Sequence, residues 1–199
     1  MKKRSLALVL ALVLAVTAVI GGTLAWLTDT TDEVKNTFTT SNIDITLVET
    51  PNFDSDNDGK ADKWQAKMIP GYEYTKDPVV TVEDGSEDCW LFVKFEEEND
   101  ATIYLDYHSN LSVANGWTQG DITNIPANVW YRKVLATDTT KTWHLLLDDK
   151  VGVDGTTVTK DNMANAATAE LIYTAYAHQL HKNATEEFTA AEAWKALNP

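Results

Sequence analysis

Cysteine is nearly absent from this chain: Cys89 stands alone in 199 residues. An internal disulfide framework is thereby excluded, and stability has to come from packing, metal or assembly. Basic residues are also scarce, 16 Lys and Arg against 30 Asp and Glu, for a formal net charge of −14. So acidic a surface repels nucleic acid and anionic lipid headgroups and attracts divalent cations or basic partners. No G-x-S-x-G elbow, phosphate-binding glycine loop, dinucleotide fingerprint or HExxH helix occurs, so none of those chemistries can be assigned. Helical signal is slight, and there is neither an internal repeat nor a low-complexity linker.

What is present begins with Met1-Lys2-Lys3-Arg4, followed by the uncharged run from Leu6 to Ile20. That is the pattern of a secretory signal peptide. Continued to Leu27, the segment reaches about 22 mostly apolar residues, enough to cross a bilayer of roughly 30 Å as an uncleaved anchor. Thr23 and Ala25, just after Gly21-Gly22, supply the small residues of a cut site. Cleavage by a signal peptidase between Ala25 and Trp26 is the expectation, giving a signal peptide over 1–25 and a single domain over 26–199. The rest of the chain is exported either way, to the cell surface or extracellular matrix, and meets a membrane only through an uncleaved signal segment. After cleavage, 13 Lys and Arg face 30 Asp and Glu.

Period-two alternation dominates the region after residue 38. Ile43, Ile45 and Leu47 share one strand face, and Leu91, Val93 and Phe95 share another, with Trp90 and Phe92 making that strand's second face apolar. The latter strand is expected to be central, with Cys89 as a small core residue. Val129–Ala136 and Thr142–Asp149 read as a hairpin across the turn-rich TDTTK, and the residues flanking Asp154-Gly155 read as a shorter one. Glu170 opens a long strand rich in aromatic and small residues. Thr189 and Glu192 form a capping box before a C-terminal helix, and residues 161–168 suggest a further helical turn. The expected fold is an all-β antiparallel sandwich with that short helix.

The stretch DSDNDGKAD, residues 54–62, has the spacing of a calcium loop. Asp54, Asp56 and Asp58 alternate so that their oxygens converge, Gly59 permits the bend, Lys60 offers its backbone carbonyl and Asp62 follows. Gln65 stands where a bidentate carboxylate normally closes such a loop, which weakens the site toward affinities of about 10⁻⁴–10⁻³ M. Millimolar calcium is expected to raise the Tm by mass action. Asp54→Ala with Asp58→Ala should abolish that increment without unfolding the protein; a calorimetric titration silent at millimolar calcium would leave the loop merely acidic. His178 and His181, three apart on a strand, point to opposite faces and so do not make a zinc pair. Tryptophans 64, 90, 117, 130, 143 and 194 read as core packing before they read as a sugar platform.

Gly21-Gly22-Thr23-Leu24-Ala25, Trp26-Leu27, Asn36-Thr37-Phe38 and the strand Ile43 to Leu47 together resemble the N-terminal signature of the TasA and camelysin (CalY) family, exported through a SipW-type signal peptidase. Residues 68–82, MIPGYEYTKDPVVTV, are similar to that family's block leading into its next strand. The similarity is dense over residues 20–97 and thin between 100 and 165. It implies a jelly-roll β-sandwich that builds biofilm-matrix fibres or decorates the cell surface, with itself or related matrix proteins as partners. Donor-strand assembly is the mode the resemblance implies. Residues 26–38 would then pair with a neighbouring subunit through Trp26, Leu27, Val34 and Phe38, the alternative being a free polar tail. Some relatives carry a metalloprotease label, for which no zinc motif is found here. An assembling, non-enzymatic matrix protein is the leading expectation; a monomeric, calcium-stabilised module binding glycan or a matrix component is the alternative.

Overall fold

The computed structural model describes residues 42–49 and 67–197, which belong to one compact unit. It is mostly β, with three antiparallel sheets and a short C-terminal helix. The central sheet runs β10 (Glu170–Gln179), β4 (Cys89–Glu98), β7 (Val129–Val134), β6 (Thr118–Gln119). A second sheet is ordered β1 (Ile45–Val48), β3 (Val79–Val82), β8 (Thr142–His144). The third is β2 (Glu73–Thr75), β9 (Leu146–Val153), β5 (Leu105–Ser109).

Alternation along β4 explains how the layers form. Cys89, Leu91 and Val93 are fully buried on one face, where they join Val80 and Val82 of β3 and the partly buried Ile43, Ile45 and Leu47. Phe92 points the other way into a separate cluster with Val129, Ala193 and Trp194. The central sheet is thus covered by the β1–β3–β8 sheet on one face and by the C-terminal helix on the other. A strand apolar on both faces needs two covers, and β4 has them. Burial also pushes the Cys89 thiol pKa up to about 11, so it is a core residue rather than an available nucleophile.

The C-terminal helix, α3 (Ala190–Leu197), follows α1 (Ala101–Tyr104) and α2 (Met163–Ala166) in the chain. Its start is the expected capping box: Glu192 Oε2 accepts from the Thr189 amide at 2.9 Å and lies 2.9 Å from its hydroxyl, while the Glu192 amide donates to Thr189 Oγ1 at 3.3 Å. Lys182 Nζ reaches the other carboxylate oxygen at 2.6 Å. The Lys182 hydrogen bond first, then the Thr189 amide and hydroxyl, hold the Glu192 pKa down to about 2 against an ordinary 4.5. A depressed carboxylate contributes stability that is complete above its unfolded pKa and is lost as pH falls through its folded one. Glu192→Gln should therefore flatten the acid-unfolding curve between about pH 4.5 and 2. An unchanged acid limb in circular dichroism would count against this cap.

Two expected hairpins are not formed. β7 pairs with β4 and β6, whereas β8 pairs with β3 in the other sheet. After Val134 the chain turns, the Asp138 amide donating to the Leu135 carbonyl and the Leu135 amide to Asp138 Oδ2, both at 2.9 Å. It then crosses between layers, so that Trp130 and Trp143 enter the shared core from opposite sheets. Around Asp154-Gly155, β9 ends at Val153 and no second strand follows. The Asp154 carboxylate captures the Thr156 and Thr157 amides at 2.6 and 3.0 Å, and the Val158 amide donates to the Asp154 carbonyl at 3.0 Å. An aspartate that closes a turn on its own backbone displaces the hairpin.

Candidate functional site

Every residue singled out for calcium (Asp54, Asp56, Asp58, Lys60, Asp62), for assembly (Trp26, Leu27, Val34, Phe38) or for cleavage (Ala25, Trp26) lies outside the described residues. Among the described residues, no group of three His, Cys, Asp or Glu is placed to hold a metal. No helix among them is long and apolar enough to cross a membrane. His178 and His181 do not converge, but not by strand alternation: His178 lies in β10, which ends at Gln179, and His181 bridges to Glu187 beyond it. The His178 ring packs edge-on against Phe188, centroids 4.7 Å apart, while His181 Nε2 meets Asp88 Oδ2 at 3.0 Å. The Ala136 amide first, and His181 next, hold the Asp88 carboxyl below the usual range.

The described tryptophans belong to the interior. Trp117, Trp130 and Trp143 pack in the cluster between the central and second sheets, and Trp90 and Trp194 in the cluster beneath α3. Arg132 of β7 enters the first of these clusters. Its guanidinium lies 4.3 Å from the Trp143 ring centroid and 5.2 Å from that of Trp117, and burial lowers its pKa. A guanidinium held between indoles is a cation–π contact that closes one end of the core. Three residues distant in sequence build it, so no local pattern announced it.

The third sheet carries an open groove of about 600 Å³. Tyr72, Glu73, Asp106, His108, Asp148 and Lys150 are among its lining residues. Its rim is shaped by a break in β9, where Asp148 and Asp149 adopt left-handed φ of 56° and 52°. The register against β5 shifts there, from Tyr107↔Val151 to Ser109↔Leu146. Such a bulge re-aims side chains at a sheet's margin, and here it presents Leu147 and Asp148 beside an exposed Tyr72.

The feature with the clearest capacity for interaction is the outer edge of β10. This strand pairs with β4 in unbroken register over ten residues, Glu170↔Glu98 to Gln179↔Cys89. It ends the central sheet, and β1 of the facing sheet packs against it while pairing only with β3. Among the described residues, no strand pairs with its other side. Natural edges are blunted with Lys, Pro or bulges. ELIYTAYAHQ has no Lys, Arg or Pro, and its register has no bulge. Leu171 through His178 are all half-buried, so the strand is apolar enough to be held firmly and open enough to be reached. Among the described residues, the alternate N–H and C=O groups that face away from β4 pair with no strand, over a length of about 30 Å at the strand's usual rise.

Comparison with protein-family models, with curated proteins and with solved structures found no match.

Proposed function

We propose that this is an exported structural protein of the cell surface or extracellular matrix, which assembles with copies of itself, or with related matrix proteins, by strand addition at the β10 edge. The unblunted ten-residue edge of β10 carries this reading. An added strand would satisfy the row of backbone groups that no described strand pairs, and side-chain alternation would give the contact its register. A donor from one subunit entering an edge on the next is a heterologous contact, which propagates rather than closes. The signal-like N-terminus, the TasA and camelysin resemblance and the jelly-roll sandwich it implies support the same reading, and nothing in it is catalytic. The aspartate loop 54–62 is assigned as a calcium site that stabilises the subunit.

Thr174→Glu tests the edge. Across the ladder Thr174 pairs with Lys94, whose ammonium already meets Glu96 Oε1 at 2.7 Å, so a glutamate there shares a cation within the monomer. The glutamate's charge lies in the path of an incoming strand. The variant should melt close to the parent yet fail to elongate in sedimentation and negative-stain assays. Polymerisation at the parent's rate would remove β10 as the acceptor. The groove of the third sheet supports a second reading, a monomeric module that binds glycan or a matrix component beside the exposed Tyr72.

A further inference from the structure

A buried acid–base pair joins the end of β1, in the second sheet, to the segment that links β2 of the third sheet with β3. Glu49 directly follows β1, and Lys76 lies between β2 and β3, its amide donating to the Asp149 carbonyl at 2.9 Å. Lys76 Nζ contacts Glu49 Oε1. Lys76 is only 6% exposed, and the side chains of the pair are 8% and 11% exposed. Lys and Glu are rarely buried to this degree. A buried ion pair offsets its desolvation only when the remaining lone pairs are also satisfied. That condition fails among the described residues: Glu49 Oε2 is buried there without a hydrogen-bond partner, as is the Tyr173 hydroxyl. Burial and the nearby Glu49 carboxylate both raise the pKa of that hydroxyl, burial more.

We propose that Lys76 and Glu49 condense into an intramolecular isopeptide bond, Nζ to Cδ, that fastens β1 to the β2–β3 segment. In the first step one proton passes from Lys76 Nζ to the Glu49 carboxylate, giving an amine and a carboxylic acid. The Nζ lone pair attacks Cδ and a C–N bond forms. One Glu49 oxygen departs as water, carrying one proton from the carboxyl and one from Nζ. Atoms and charges balance without an oxidant or a cofactor. Two buried charges are replaced by a neutral amide, and the expelled water leaves for bulk solvent. Holding the groups in contact supplies effective molarities of about 10⁵–10⁸ M in well-oriented cases.

The bond has a structural consequence that suits this chain. It closes the segment from Glu49 to Lys76, which contains the whole aspartate loop 54–62. A cross-link of that span restricts the unfolded chain as a disulfide does, in a protein whose single cysteine is buried and cannot provide one. The proposal is independent of how subunits assemble.

Intact-mass spectrometry of the folded full chain, with its N-terminus identified, decides it. The expected mass is one water below that of the sequence, and proteolysis should yield a branched peptide joining the Glu49 and Lys76 segments. Glu49→Ala and Lys76→Ala should restore the full mass and lower the Tm, while Glu49→Gln should lose one ammonia instead of one water. An unmodified wild-type mass overturns the proposal, whether or not the variants fold. So does a water loss that maps elsewhere, for example to a succinimide at Asp84-Gly85.

Discussion

Phe92→Ala is expected to lower folding stability by about 3–5 kcal/mol, the usual cost of emptying a buried aromatic site. Phe92 is 0% exposed. Its ring lies 5.3 Å from Trp194 of α3 and 5.8 Å from Tyr131 of β7, so one side chain joins the helix to the central sheet. Such aromatic pairs contribute about 0.5–1.5 kcal/mol beyond area burial. Collapse into the vacated space is resisted on both sides, by α3 and by the paired strands. With a total stability on the order of 5–15 kcal/mol, the loss brings the protein near its threshold. Urea unfolding should show a much lower midpoint with an unchanged slope. Val113→Ala, at a side chain 76% exposed, should stay within about 0.5 kcal/mol of the parent. Equal effects at both positions would mean that the cluster beneath α3 is not packed as described.

Removing residues 26–38 should abolish fibre growth outright while leaving a folded monomer. The segment WLTDTTDEVKNTF holds few apolar side chains, Trp26, Leu27, Val34 and Phe38, too few to form a stable hairpin by itself. Such a segment gains most when it completes another subunit's sheet. The β10 edge offers it ten residues of acceptor. Cleavage after Ala25 would free its end to reach a neighbour. The shortened chain should also fail to join fibres seeded by the intact mature protein, and negative stain against a light-scattering time course would show it. If the shortened chain polymerises as readily as the intact one, the donor lies elsewhere.

Local patterns were legible in the sequence, and tertiary pairings were not. The faces of β1 and β4, the run of β10, the core position of Cys89, the capping box at Thr189 and the turn of α2 all depend on neighbours within a few residues. Period two, or an i to i+3 hydrogen bond, is enough to reveal them. β7 and β8 are adjacent in sequence and strand-like, yet each pairs in a different sheet because Trp130 and Trp143 must enter one core from both sides. Hairpin proximity is a local cue that a layered core overrides. The third sheet went unannounced because β2 has three residues and β9 is broken at Asp148-Asp149. Arg132 between Trp117 and Trp143 has no sequence signal at all. The acceptor edge stands between these cases. The lack of Lys, Arg and Pro in ELIYTAYAHQ could be read from the residues, but only the strand order places it at a margin.

Hydrogen exchange read amide by amide along β10 bears most directly on assembly. In the monomer, alternate amides from Glu170 to Gln179 bond to β4 and the others face away from it, so fast and slow exchange should alternate along the strand. In fibres grown from the intact mature chain, the fast set should become protected and the alternation should vanish. Fibres in which those outward amides still exchange as they do in the monomer would contradict strand addition at β10.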